Sequence, residues 1–418
     1  MKLLLIGYYH LAEGFLGAMD ALRNIFKYEI EFFPFSEYAD IYNINIVIES
    51  LQKHITRNPI NMTPNTLYIK GKQPDIILWW NFNISYDNFI GIKNTSRAIN
   101  IFYSWDDPFQ TENVSDKKIF AEFDVIYTCC RKSIEFYKSC GCTNVYYAKP
   151  GFDKLVHCPL IDQFTSNEYD CDISIVCTNL YDTNIHLGKT LNRRTLIDSI
   201  ISDKTITLKI YGPQYIKDIY PDNYAGFIKF TESHKIFSRS RINICTHVRK
   251  NGFMYINERV CQILGSGGLL YIDDVPGLDN ILNKKTECVV IDETNMLQQI
   301  HNILNNYSRY EIVKKYGHLC ALQTMTWDVW AEIIHGGCLE FLSKGKNLDI
   351  TENNYLILLD DKIIKCVYTL CLLLTKSHIR NDNYLILLNN ICNEHNININ
   401  DFININMKHI LITAKIFY

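Results

Sequence analysis

Short apolar runs alternate with helix-period segments through most of the chain, and that alternation is the pattern of parallel βαβ units. In the first 150 residues the runs are Leu3 to Ile6, Ile30 to Phe33, Ile76 to Trp80, Ile99 to Tyr103, Val125 to Thr128 and Val145 to Tyr147. Lys149-Pro150-Gly151-Phe152-Asp153 then interrupts the rhythm, and a polar stretch from Gln163 to Tyr169 follows. It resumes with Ile173 to Cys177, Thr207 to Tyr211, Ile242 to Cys245, Leu269 to Ile272 and Cys288 to Ile291, joined by helical patterns around Leu191 to Ile201 and Lys235 to Arg239. A chain of 418 residues is too long for one ordinary core, so the interruption reads as a boundary between two α/β domains. The expected division is residues 1–155, residues 156–325, a returning helix over 326–345 that opens Trp327-Asp328-Val329-Trp330, and an extension over 346–418.

The extension contains an internal echo. Asn354-Tyr355-Leu356-Ile357-Leu358-Leu359 recurs as Asn383-Tyr384-Leu385-Ile386-Leu387-Leu388, which suggests duplicated helical hairpins that pack on the rest of the chain or on another subunit, a route to a homo-oligomer. A formal net charge of −3 with no basic stripe excludes nonspecific nucleic-acid binding through counterion release. The 15 cysteines are scattered through strand and helix patterns, as buried free thiols in a reducing compartment would be. Cys129-Cys130 with Cys140 and Cys142 lacks the paired two-residue spacing of structural zinc sites. Leu3 to Ile6 reads as a first strand rather than a signal peptide, and Cys366 to Leu374 is too short to cross a bilayer. These features fit an intracellular protein with no integral membrane segment.

The segment from Tyr255 to Leu282, YINERVCQILGSGGLLYIDDVPGLDNIL, says most about function. Asn257 is a good N-cap residue, and Val260, Ile263 and Leu264 repeat at helical spacing, so a helix should begin near Glu258 with its first N–H groups open to an anion. Gly265-Ser266-Gly267-Gly268 leads from it into a buried strand pattern and would let the backbone pass close to a ligand. An ordinary αβ unit with a Gly-rich turn explains the same letters about equally well.

Asn257-Glu258-Arg259-Val260-Cys261-Gln262 and Val275-Pro276-Gly277-Leu278 resemble the donor-site helix and following turn of GT-B glycosyltransferases, particularly the CgeB-like, group 1 kind known from bacteria and large DNA viruses. The resemblance runs loosely over residues 1 to about 340. It implies two facing Rossmann-like domains: an N-terminal one that binds the acceptor and a C-terminal one that binds a nucleotide sugar. Two departures stand out. Gln262 is an amide where the family usually has an acid for the ribose hydroxyls, and Met254 occupies the place of the first Glu in the retaining pattern.

The resemblance implies that a basic residue near the start of the helix at Leu191 to Ile201 neutralises the leaving diphosphate, with Arg193 fitting better than Arg194 because Leu196 and Ile197 follow it. Gly212, after the strand at Thr207 to Tyr211, would border the base, and His247 lies just before the donor helix. Asn257, Glu258, Gln262, Gly267 and Gly268 complete the expected nucleotide-sugar site. For the general base, Asp106 and Asp107 follow the strand ending at Tyr103, where open α/β sheets place ligands, although an Asp-Pro turn accounts for them too. His10, in the first strand-to-helix loop, is the rival. Neither Asp106-Asp107 nor Asp273-Asp274 has Asp-x-Asp spacing, so no metal and no cofactor are expected beyond the nucleotide-sugar donor.

The expectation is a cytoplasmic, metal-independent hexosyltransferase-type enzyme that moves a sugar from a nucleotide diphosphate to a hydroxyl of a glycan, protein or other acceptor. Its cytoplasm would be the host's if the source is viral. A nucleotide-sugar epimerase of the same fold, or a non-catalytic glycan-binding or structural relic, are the alternatives.

Overall fold

The computed structural model describes residues 1–8, 12–35, 56–57, 74–81, 86–94, 96–105, 117–160, 169–180, 192–247 and 252–345. The chain divides into two compact units, Met1–His335 and Gly336–Tyr418. The first holds two parallel sheets. Of the second, the described part, residues 336–345, completes a helix that begins at Trp327. The repeated Asn-Tyr-Leu-Ile-Leu-Leu motif lies outside the described residues.

The first sheet contains β1 (Lys2–Tyr8), β2 (Glu29–Phe35), β3 (Thr56–Arg57), β4 (Ile76–Trp80), β5 (Ile99–Ser104), β6 (Val125–Thr128) and β7 (Val145–Tyr147), in the order β3-β2-β1-β4-β5-β6-β7. Its neighbours are all parallel, with Leu5 opposite Phe32 on one side and Leu78 on the other. Every residue of β4 and β5 is buried, as expected of central strands covered on both faces. Helices α1 (Ala12–Phe26), α2 (Tyr86–Lys93) and α3 (Ser133–Ser139) follow β1, β4 and β6.

The second sheet contains β8 (Cys171–Val176), β9 (Leu208–Tyr211), β10 (Tyr224–Gly226), β11 (Ser240–Cys245), β12 (Leu270–Ile272) and β13 (Val289–Val290), in the order β10-β9-β8-β11-β12-β13 and again all parallel. Its helices are α4 (Arg193–Ser202), α5 (Tyr215–Ile219), α6 (Ser233–Ser238), α7 (Glu258–Gly265), α8 (Met296–Asn305) and α9 (Tyr307–Thr324). Leu196, Ile197 and Ile200 on α4 and Ile300 and Ile303 on α8 bury against Ile173, Ile175, Ile210 and Ile244 of the strands. Strand order reverses between β8 and β11 in this sheet and between β1 and β4 in the first, and such switch points are where open α/β sheets bind ligands.

The strand-helix alternation ends with α10 (Trp327–Gly345), whose first turns return to the first sheet. Trp80, at the end of β4, is fully buried, with ring centroids 4.7 Å from Tyr103, 5.2 Å from Trp105, 5.8 Å from Trp327 and 5.3 Å from Trp330. Gly17 on α1 and Gly151 make room for Trp327: a Cβ on either would come within 2.6 Å and 2.8 Å of its ring. Further along α10, Tyr28 Oη lies 3.0 Å from His335 Nδ1.

Candidate functional site at the apposed strand ends

Loops leaving the C-terminal ends of both sheets meet along a seam. From the first sheet, Trp105 after β5 donates its indole N–H to Glu258 (3.1 Å), Arg131 after β6 donates its backbone N–H to the Phe253 carbonyl (3.0 Å), and Tyr147 at the end of β7 donates its hydroxyl to the Met254 carbonyl (2.9 Å). Cys261 on α7 returns a thiol hydrogen bond to the Pro150 carbonyl (3.3 Å). Burial pushes that thiol and the Tyr147 hydroxyl well above their ordinary ranges, so both act as neutral donors.

The second-sheet side of the seam is built around the start of α7. Asn257 has extended backbone (φ −83°, ψ 164°), and its carboxamide oxygen accepts the Arg259 N–H at 3.1 Å, as an N-cap residue does. The Val260 N–H is on the Asn257 carbonyl at 3.2 Å. Of the first three helical N–H groups, therefore, Glu258's is the one without a partner among the described residues, which narrows the expectation that the opening N–H groups all stand free. One turn on, Gln262 is 5% exposed, and its carboxamide makes no hydrogen bond among the described residues. Met254, the residue that replaces the expected Glu, has a left-handed backbone (φ +54°). Its N–H is on the Pro276 carbonyl (2.8 Å) and its carbonyl on Tyr147, and these two bonds hold the strained conformation.

Three expected contacts stand differently. Gly267 and Gly268 sit at the far end of α7, about 12 Å from its N-terminus for eight residues at ~1.5 Å each. Their N–H groups close the helix onto Leu264 and Ile263, and Gly267 (φ +71°) faces Pro159, so they form a C-terminal cap and do not border the anion end. A Cβ on Gly268 would meet Phe237 O at 2.7 Å and Asn243 Nδ2 at 2.6 Å, so glycine is required there by packing.

His247 is the second correction. Its side chain is wholly buried and both ring nitrogens are engaged, Nδ1 with Asp273 (2.7 Å) and Nε2 with the Asn257 N–H (3.3 Å), so it offers nothing to a ligand directly. Arg193 is the third. It is 6% exposed, with Nε on Thr246 Oγ1 (3.0 Å), one terminal nitrogen on the Thr246 carbonyl (2.8 Å) and the other on the Asn179 carbonyl. Its guanidinium therefore ties the loop after β8 to the loop after β11, beside the expected diphosphate position, with three of five N–H donors already on protein oxygens. Neither partner was legible in sequence, because Asp273 comes to His247 only when β11 and β12 pair, and Thr246 comes to Arg193 only when β8 and β11 pair.

Gly212 follows β9 at the same sheet edge, and a Cβ there would meet the Cys177 carbonyl at 2.2 Å, so its glycine serves close approach of two strand-end loops. Arg194 is solvent-exposed. His10, Asp106 and Asp107 lie outside the described residues. Asp273 and Asp274 diverge, one toward His247 and the other toward Lys284 (2.7 Å). Among the described residues no group of three His, Cys, Asp or Glu is placed to hold a metal ion, and no helix is long and apolar enough to cross a membrane. The twelve described cysteines are free thiols.

The chain is similar in fold to several solved structures. HepE from Anabaena, in complex with UDP and glucose, superposes with a TM-score of 0.59 at 10% identity over 81% of this chain and 100% of that one. Sucrose-phosphate synthase from Thermosynechococcus elongatus gives 0.58 at 12% identity over 83% and 100%. The chain has the GT-B fold. A glycosyltransferase from Rickettsia africae is similar in the same way, with a TM-score of 0.56 at 11% identity over 83% of this chain and 99% of that one. Independently, residues 192–336, which include α7 and strands β9 to β13 of the second sheet, match the family described as Glycosyl transferase-like. No curated protein sequence matches the chain.

Proposed function

We propose that this protein is a glycosyltransferase that moves a sugar from a nucleotide-diphosphate donor to a hydroxyl acceptor, with the donor at the start of α7 and the acceptor on the β5 side of the seam. The observation that carries this reading is Gln262, a buried carboxamide with no partner among the described residues, one turn into a helix whose Glu258 N–H is also open. The amide atoms are not sealed from solvent, and a ribose hydroxyl pair would satisfy both their donor and their acceptor. The open N–H and the helix dipole favour an anion at the same end.

In the reaction the acceptor oxygen attacks the anomeric carbon, the bond from that carbon to the diphosphate breaks, and the acceptor proton passes to a base. Asp106, Asp107 and His10 are the candidates for that base. The leaving diphosphate takes the electron pair, and the α7 N-terminus supplies fixed dipoles for its charge, a role a divalent cation would otherwise fill.

UDP-glucose is the first donor to test, since HepE has been captured with it. A nucleotide sugar at 100 times its dissociation constant should stabilise the protein by about 2.7 kcal/mol in a thermal-shift measurement. Transfer should persist in excess EDTA. Loss of activity that returns with Mn²⁺ or Mg²⁺ would contradict the metal-free mechanism, and failure to bind any nucleotide sugar would leave a non-catalytic GT-B protein. Turnover of the donor alone to an isomeric nucleotide sugar would identify an epimerase.

A further inference from the structure

The loop after β11, the loop after β12 and the N-cap of α7 are joined by one buried chain of hydrogen bonds. Asp273, 5% exposed at its side chain, accepts both hydrogens that His247 can direct to it: the backbone N–H, at 3.0 and 3.2 Å from the two carboxylate oxygens, and Nδ1–H at 2.7 Å. That second bond places a proton on Nδ1. The lone pair of Nε2 then accepts the Asn257 N–H at 3.3 Å, and the ring edge packs on Tyr255, centroids 5.5 Å apart. Asn257 is the residue whose side chain caps α7, with its oxygen further fixed by the Cys245 thiol at 3.3 Å. Both His247 ring nitrogens are committed inside the protein.

We propose that His247, oriented by Asp273, is a positioning residue that sets the angle and register at which the first turn of α7 presents the Glu258 N–H to the donor's diphosphate. The inference rests on the proposed donor site, and it assigns His247 a role without contact to the ligand. An eight-residue helix cannot hold its own end rigidly, because its cap must fix both the extended Asn257 and the turn that follows. Removing the acceptor at position 247 leaves the part-buried Asn257 N–H without its protein partner, and the cap loses the bond that holds it. A diphosphate contacts that cap; a nucleoside does not.

Two substitutions separate positioning from mere packing. His247→Leu fills similar space but accepts no hydrogen bond, whereas His247→Gln places a carboxamide oxygen near the position of Nε2. Binding of UDP and of uridine is measured by calorimetry, and exchange of the Asn257 amide is followed by NMR in the ligand-free protein. His247→Leu should weaken UDP binding about tenfold or more, the loss of one buried hydrogen bond, and uridine binding by much less. His247→Gln should recover most of the UDP affinity. The Asn257 amide should exchange faster in the Leu variant and return toward the wild-type rate in the Gln variant. Equal losses for UDP and uridine, no recovery with Gln, or an unchanged Asn257 exchange rate would overturn the proposal. If wild-type protein binds no UDP while Asn257 exchange responds as expected, the donor-site reading fails and the positioning of the cap by His247 stands.

Discussion

Trp80→Ala should destabilise the first unit by roughly 3–5 kcal/mol, a large share of the ~5–15 kcal/mol that holds a typical domain folded. Trp80 is fully buried at the end of β4 and touches Phe15, Tyr103, Trp105, Trp327 and Trp330, so truncation opens a cavity where α1, β5 and α10 converge. Its own indole N–H has no hydrogen-bond partner among the described residues. Trp80→Phe therefore removes an unsatisfied donor as well as volume, and should cost much less than Trp80→Ala. Denaturant unfolding of the two variants tests this. Equal midpoints for Ala and wild type would mean that the aromatic cluster is not what ties α10 to the first sheet. Because Trp105 belongs to the cluster and also bonds Glu258, the Ala variant should additionally weaken donor binding.

The second large effect is acid destabilisation between pH 6.5 and 5. Burial holds His157 down to about 3 and His318 down to about 4, from an ordinary value near 6.5. In each case one ring nitrogen is bonded, His157 Nε2 to Ser233 and His318 Nδ1 to the Leu264 carbonyl, while the other is buried without a partner. Below pH 6.5 the unfolded chain binds protons that the folded chain refuses. Stability is therefore complete above the unfolded value and falls as pH drops toward the folded values, by up to about 1.4 kcal/mol per pH unit for each histidine and about 2.7 for both. Asp203 and Asp292, which sit low in the folded protein, lose their contributions only as the unfolded carboxylates begin to titrate near 4, so the window above pH 5 reports the histidines. Replacing one of the pair with an amide should reduce the slope; His234 and His335, which burial also lowers, contribute to what remains. A flat stability profile from pH 6.5 to 5 would show that neither ring is kept neutral by the fold.

How far the sequence disclosed this protein depends on which interactions are local. β4, β6 and β7 coincide with their mostly apolar runs because three to five such residues between turn residues have few other places to go. β3 and β10 had no such signal: Thr56–Arg57 and Tyr224–Gly226 are short outermost strands, defined by backbone pairing with β2 and β9. The α7 start was legible from Asn257 because an N-cap is decided within a few residues. Gly267 and Gly268 carried a local signal too, since two glycines just past a helix end fit a C-terminal cap, and that chemistry outweighed ligand approach. The roles of His247 and Arg193 were not legible. Each depends on a partner, Asp273 or Thr246, brought into reach by pairing of the sheet rather than by neighbourhood in the chain. The glycosyltransferase resemblance of the Asn257 to Gln262 segment pointed to the right fold, while the protein partners that hold His247 and Arg193 are set by the tertiary structure.

The most direct measurement is hydrogen exchange of the full chain with and without a saturating nucleotide sugar, UDP-glucose first. With the donor seated at the start of α7, protection should concentrate in peptides spanning residues 255–264 and in those carrying Trp105, across the seam, while peptides from the C-terminal cap at Gly267 and Gly268 stay unchanged. Saturable binding with protection confined to other segments would contradict a donor site at the α7 N-terminus.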